Sequence, residues 1–98
     1  MKTIMVRYKT TPVHADTNAA LIRAVFDELR ASSPKGFRYT SYRLADGASF
    51  VHVATHGADN PLTALPAFKT FQTQLKDRCV EPPVVTELSI VDSYGSAS

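Results

Sequence analysis

His52 and His56 are the side chains best suited to acid–base chemistry here, because an imidazole titrates near neutral pH. They stand four apart in Phe50-Val51-His52-Val53-Ala54-Thr55-His56, where residue types alternate as in a strand. Tyr39, Ser41 and Arg43 alternate in the same way in the segment before it. Set beside His52, the phenol and the hydroxyl would bond an imidazole or a ligand, and Arg43 would hold a carboxylate or other oxyanion. Each also has a plainer assignment: His52 as a cross-strand partner of Ser41, His56 as a strand-end side chain in solvent, Arg43 as a surface ion-pair residue.

A shared metal is not expected. Four residues of strand separate the two histidine Cα atoms by roughly 13 Å, at about 3.3 Å per residue, whereas zinc holds ring nitrogens at about 2.0–2.1 Å. His14 follows the first strand and would have to fold over to take part. Cys79 is the single cysteine, so neither an intramolecular disulfide nor a cysteine-based zinc site can be completed. No Ser/His/Asp nucleophile set, phosphate-cradling glycine loop or paired-carboxylate site is visible.

The elements that must hold these groups follow from periodicity. Thr3 to Thr10 alternates in strand fashion, with Ile4, Val6 and Tyr8 on one side and Met5, Arg7 and Lys9 on the other. Asp16 or Thr17 can cap a helix whose apolar positions Leu21, Ile22, Val25, Phe26 and Leu29 recur at helical spacing, and Ser32-Ser33-Pro34-Lys35-Gly36 stops it. Phe37 to Leu44 and Ser49 to His56 flank Asp46-Gly47, a hairpin signal because Gly accepts positive φ. Asn60-Pro61 offers an N-cap and a first-turn proline. The helix it opens carries Leu62, Leu65, Phe68, Phe71, Leu75 and Cys79 on one stripe. Pro66 lacks an amide hydrogen, which predicts a short first turn, a break, and a main helix from Pro66 onward. Glu81-Pro82-Pro83 ends that helix, and Val84 to Val91 is the last predicted strand. The order is β-α-β-β-α-β over a single domain, residues 1–94, with residues 95–98 a disordered tail.

Counting outward from Asp46-Gly47 sets Leu44 opposite Ser49, Tyr42 opposite Val51 and Thr40 opposite Val53. On the other face Arg43 meets Phe50, Ser41 meets His52, Tyr39 meets Ala54 and Phe37 meets His56. The first face is aliphatic and suits packing under two helices. The second mixes Phe37, Tyr39 and Phe50 with Ser41, Arg43, His52 and His56, and Tyr8 joins it if Val6 does. Two helices blanket one face of a four-stranded sheet. The aromatic and polar face is therefore expected to be the open one, where a second copy of the chain would enclose a partly polar cavity.

Composition sets the outer limits. A hydrophobic content of 44% and a charged content of 20% are those of a globular protein. The net charge is +2, and basic and acidic residues are interleaved rather than gathered in the stripe a nucleic-acid binder presents. No run approaches the roughly 20 apolar residues of a membrane span, and the first seven residues hold too short an apolar run for a signal peptide. A cytoplasmic location is the default expectation.

In its element order, its strand-ending Thr11-Pro12, its third strand Phe50-Val51-His52-Val53-Ala54 and its helix-opening Leu65-Pro66-Ala67-Phe68, the chain resembles the antibiotic-biosynthesis-monooxygenase-like group of the dimeric α/β-barrel proteins. The resemblance covers roughly residues 3–92. It implies an α+β, ferredoxin-like βαββαβ fold with a four-stranded antiparallel sheet, two helices on one face and sheets paired face to face in a homodimer. It also implies a cavity in each subunit. Some members are cofactor-free monooxygenases of polycyclic aromatic substrates, and others degrade haem. The Trp such members carry at the end of the third strand aligns with His56, their helix-start His with Leu62, a second His with Ala67, and the Asn of haem degraders with Val6. Neither chemistry carries over residue by residue.

RNA-recognition modules share the topology, but here the basic residue and two of the aromatics of their third strand are missing around Gly47-Ala48-Ser49-Phe50-Val51. Two functions stay open. One is a cofactor-independent monooxygenase or isomerase acting on an apolar aromatic molecule, with His52 and His56 as catalytic candidates and Tyr39, Ser41, Arg43, Phe50, Phe37 and Tyr8 as substrate contacts. The other is a non-catalytic homodimer that binds a small ligand or is purely structural. No cofactor is expected in either.

Overall fold

Alternating β-formers at the amino end make β1, Lys2–Thr10, and a 3₁₀ turn at Pro12–His14 leads into α1, Ala15–Ser32. The computed structural model describes residues 1–95. The hairpin strands follow as β2, Arg38–Arg43, and β3, Ser49–His56. A second 3₁₀ turn, Pro61–Ala64, precedes α2, Pro66–Thr73, and a single turn, α3, Leu75–Arg78. The last strand is β4, Cys79–Leu88. All pairings are antiparallel, in the order β2-β3-β1-β4. This is the four-stranded sheet of an α+β, ferredoxin-like fold.

Local chemistry explains most boundaries. Asn60 caps the turn at Pro61 by accepting from the Leu62 amide at 3.1 Å, and Pro66 opens α2 where no amide partner is needed. Neither Asp16 nor Thr17 caps α1; the helix starts at Ala15, continuing directly from the 3₁₀ turn with His14 at the cap position. Its end is the expected one, with Ser33 in the left-handed region (φ 45°) and its amide returning to the Leu29 carbonyl. In the hairpin, Gly47 takes φ +75°, and the Asp46 carboxylate accepts from the Ala48 and Ser49 amides and the Ser49 hydroxyl.

The carboxyl-terminal third departs from expectation. The helix breaks at Gln74 (φ −122°), and Cys79 opens the strand instead of closing the helical stripe. Pro82 and Pro83 lie inside β4, which ends at Leu88. An edge strand tolerates proline because one side has no ladder to feed, and the register with β1 shifts between Arg7 and Lys9 to absorb them. Residues 96–98 of the predicted tail lie outside the described residues.

The hairpin register agrees with the count: Tyr39 faces Ala54, Thr40 Val53, Ser41 His52, Tyr42 Val51 and Arg43 Phe50. The assignment of its faces is reversed. Tyr8, Phe50, His52 and Ala54 are buried under the helices with Ile22, Val25, Phe71 and Leu75, while Thr40, Tyr42, Val51, Val53, Met5 and Val84 lie on the face that carries no helix. Apolarity alone favours covering the aliphatic face. What decides against it is that the polar groups of the aromatic face find partners on the helices. Among the described residues no buried side-chain nitrogen or oxygen lacks a hydrogen bond, so covering that face leaves no desolvated orphan.

Candidate functional site

A cavity of about 380 Å³ lies between the helix-covered face of the sheet and the segment from Asn60 to Leu75. Ile4, Val6 and Tyr8 of β1, Tyr39 of β2, His52 and Ala54 of β3, Leu62, Phe68, Phe71 and Leu75 above them, and Pro83 and Val85 of β4 form its wall. The cavity forms because Ile4, Val6 and Ala54 are too short to fill the space below Phe68 and Phe71. Its surface is mostly hydrocarbon; Tyr8, Tyr39 and His52 supply polar atoms from the sheet, and Asn60, Thr63 and Gln72 supply others from the opposite segment.

The polar atoms on the sheet side belong to one chain of hydrogen bonds. Arg78, buried at the end of α3, donates from Nε to Asn18 Oδ1 at 3.1 Å and from Nη2 to the Phe71 carbonyl at 2.7 Å. A guanidinium only donates, so it fixes the Asn18 amide with Nδ2 turned toward Tyr8, to whose Oη it donates at 2.8 Å. Tyr8 Oη stands 2.8 Å from His52 Nε2. On the far side of the ring, His52 Nδ1 stands 2.6 Å from Ser41 Oγ and 3.0 Å from Tyr39 Oη. Among the described residues Tyr8 Oη has two partners, Asn18 Nδ2, which donates, and His52 Nε2, so Nε2 is the acceptor available to the phenol proton. That makes His52 the Nδ1–H tautomer, donating toward Ser41.

Packing sets the electrostatics. The His52 ring is stacked between Tyr8 and Tyr39, with centroids 5.4 and 5.8 Å away, and meets the edge of Phe71 at 5.7 Å. Burial there pulls the imidazole down to about 4, so it is neutral at pH 7. Burial also pushes the Tyr39 phenol up to about 12, against the Ser41 hydrogen bond, and raises Tyr8 against the bond from Asn18. The polar wall is thus an uncharged phenol–imidazole–phenol row. Arg78, over the Phe71 ring at 5.4 Å, has no carboxylate within ion-pair distance among the described residues.

The candidate residues separate into two groups. Tyr8, Tyr39, Ser41 and His52 come together, three of them on the cavity wall and Ser41 behind His52. The other four do not reach the cavity. His56 sits at the end of β3 with Nδ1 against the Gly57 carbonyl at 2.8 Å. Arg43 bonds Asp16 at 3.0 Å and lies over Phe50, which packs against Tyr8. Phe37 stacks on the outer side of Tyr39. Asn18 and Arg78 were not among the candidates. Their signal was present: each is a polar residue on an apolar helical stripe, Ala15-Asn18-Ala19-Ile22 in one case and Phe71-Leu75-Arg78 in the other.

Among the described residues no helix is long and apolar enough to cross a membrane. No family model and no curated relative matches the sequence. Solved structures do match. Rv0793 from Mycobacterium tuberculosis superposes with a TM-score of 0.73 at 23% identity, over 96% of this chain and 98% of that one. A protein named antibiotic biosynthesis monooxygenase gives 0.71 at 14% identity, over 94% and 100%. SnoaB, a cofactor-independent oxygenase from Streptomyces nogalater solved as an asparagine-to-alanine variant, gives 0.62 at 22% identity, over 97% of each chain. The chain thus has the ferredoxin-like fold of antibiotic-biosynthesis-monooxygenase-like proteins.

Proposed function

We propose that the cavity takes an apolar, ring-bearing molecule with an acidic hydroxyl, and that the protein is a cofactor-independent monooxygenase-like enzyme acting on it. The observation that carries this is the Tyr8–His52–Tyr39 row on the sheet wall of a largely hydrocarbon cavity of about 380 Å³. Aromatic walls hold the rings, and the free lone pair of Tyr8 Oη accepts the hydroxyl. Loss of that proton leaves an electron-rich oxyanion, whose ring carbon reacts with dioxygen. A ring CH₂, or its enol tautomer, becomes C=O, one atom of dioxygen is retained, and the other leaves as water with both hydrogens. The polar roles narrow to Tyr8, Tyr39, His52 and Ser41. That the fold is shared with a cofactor-independent oxygenase supports the reading.

One observation favours the non-catalytic alternative. An imidazole at about 4 is a weak base at pH 7, and protonating it there costs roughly 4 kcal/mol. The two readings separate on oxygen uptake with a polycyclic phenol of the anthrone class. The enzyme shows uptake matched to quinone formation, lowered about 10²-fold or more in His52→Ala. Tight binding with no uptake leaves a ligand-binding protein.

Self-association through the helix-free face belongs to the same proposal. Met5, Val51, Val53 and Tyr42 put adjoining apolar side chains there, with Tyr42 54% exposed, and Val84 lies beyond the exposed Arg7 on the same face. A second copy covering it would close two sheets face to face and leave each cavity within its own subunit.

A further inference from the structure

We propose that Ser41 is the outlet of a proton relay that joins the inner cavity to solvent through His52. The inference rests on the oxygenase reading and says how its proton leaves. The two ring nitrogens of His52 are bonded on opposite sides of the ring, and Nδ1 is shared between Ser41 Oγ and, at 3.0 Å, Tyr39 Oη. Nε2 meets Tyr8 Oη on the cavity wall, and Nδ1 meets Ser41 Oγ at 2.6 Å. Ser41 is half-buried and does not line the cavity. It lines a separate open groove of about 330 Å³ between α1 and the edge strand β2, with Phe26, Arg23, Arg43 and Tyr42 around it. The His52 imidazole and the Tyr39 ring, which lines both spaces, stand between cavity and groove, and the two imidazole nitrogens are bonded on opposite sides.

This arrangement answers the objection that His52 is a poor base. A relay does not store the proton. As the bound hydroxyl gives its proton to Tyr8 Oη, Tyr8 gives its own to Nε2, Nδ1–H passes to Ser41 Oγ, and the serine proton goes to water in the groove. The ring ends neutral, as the other tautomer, and the negative charge stays on the ligand. The overall conversion releases water and no net proton, so a proton returns by the same path when the peroxide oxygen leaves, and the starting tautomer is restored. The groups facing the ring are Tyr8, Tyr39, Ser41 and Phe71, and the nearest fixed charge, Arg78, acts through Asn18. Ser41 touches no ligand; it is a relay residue, not a catalytic one.

The test needs no turnover. In ¹⁵N-histidine-labelled protein, solvent exchange of the His52 Nδ1–H is read by NMR in wild type, Ser41→Val, Ser41→Thr and Tyr39→Phe. Valine matches threonine in shape and lacks the hydroxyl, so exchange is expected to slow about tenfold or more in Ser41→Val and to stay within about threefold in Ser41→Thr. Equal exchange in Val and Thr variants, or slowing in Tyr39→Phe alone, overturns the proposal. With an oxidised substrate, Ser41→Val should lower kcat and leave KM unchanged. Hydroxyl-dependent exchange without oxygen uptake would uphold the relay and remove the oxygenase.

Discussion

The two faces of the sheet obey opposite rules. The covered face carries His52, Ser41, Tyr8 and Tyr39, and among the described residues no buried side-chain nitrogen or oxygen lacks a partner; the helix-free face carries Val51, Val53, Met5 and threonines, half-buried at most and under no helix. A hydropathy count would exchange them. Burial follows satisfied hydrogen bonds as much as hydrocarbon, since an orphaned buried polar group costs about 1–3 kcal/mol, comparable to the gain from covering a valine. Two helix residues, Asn18 and Arg78, make the polar face coverable.

The widest contrast between the faces is in packing. Phe71 is buried over Tyr8 and His52, so Phe71→Ala should destabilise by about 3–5 kcal/mol in urea unfolding. Val51→Ala, half-buried on the helix-free face, should cost under about 1.5 kcal/mol at concentrations where the chain is monomeric. Equal losses would mean that the faces do not differ.

Next comes pH. The unfolded chain protonates His52 near 6.5 and the folded one only near 4. The unfolded state thus binds more protons in that window, and stability falls as pH drops from 6.5 toward 4 and then levels, by roughly 3 kcal/mol in all. His52→Gln should flatten this slope. Asp46, held near 2 by the Ser49 hydroxyl and the Ser49 and Ala48 amides, adds a separate loss between about pH 4 and 2 that survives the substitution.

Smaller again is Tyr8→Phe, which keeps the ring and removes one oxygen. It leaves Asn18 Nδ2 and His52 Nε2 unpaired, for a loss of about 1–3 kcal/mol in thermal or urea unfolding. The smallest effect on the subunit fold should be Val53→Arg, on the helix-free face. It should convert a dimer to a monomer by light scattering while far-UV circular dichroism is unchanged. A wild-type monomer would remove the homodimer from the account.

The element order, the hairpin register and the Asp46-Gly47 turn were legible in the sequence because short-range rules fix them: strand alternation, a glycine at positive φ, and counting from a turn. The face assignment was not, because it depends on contacts between residues far apart, such as Arg78 with Asn18 and Tyr8 with His52. Pro82-Pro83 read as a stop because a proline pair ends most elements; only the place of β4 at the sheet edge makes it tolerable. At the site, His52, Tyr8, Tyr39 and Ser41 were visible as one face of strands, whereas Arg43, Phe37, Phe50 and His56 share that face and miss the cavity. Sharing a face says nothing about distance along it.

The central claim is that His52 is a buried, neutral imidazole held between Tyr8 and Ser41 beneath the helices. A pH series of long-range ¹H–¹⁵N correlations of its ring tests this most directly. The account predicts one Nδ1–H tautomer at pH 7 and a midpoint near 4. A midpoint near 6.5 with rapidly mixing tautomers would contradict it, and would place His52 on the open side of the sheet.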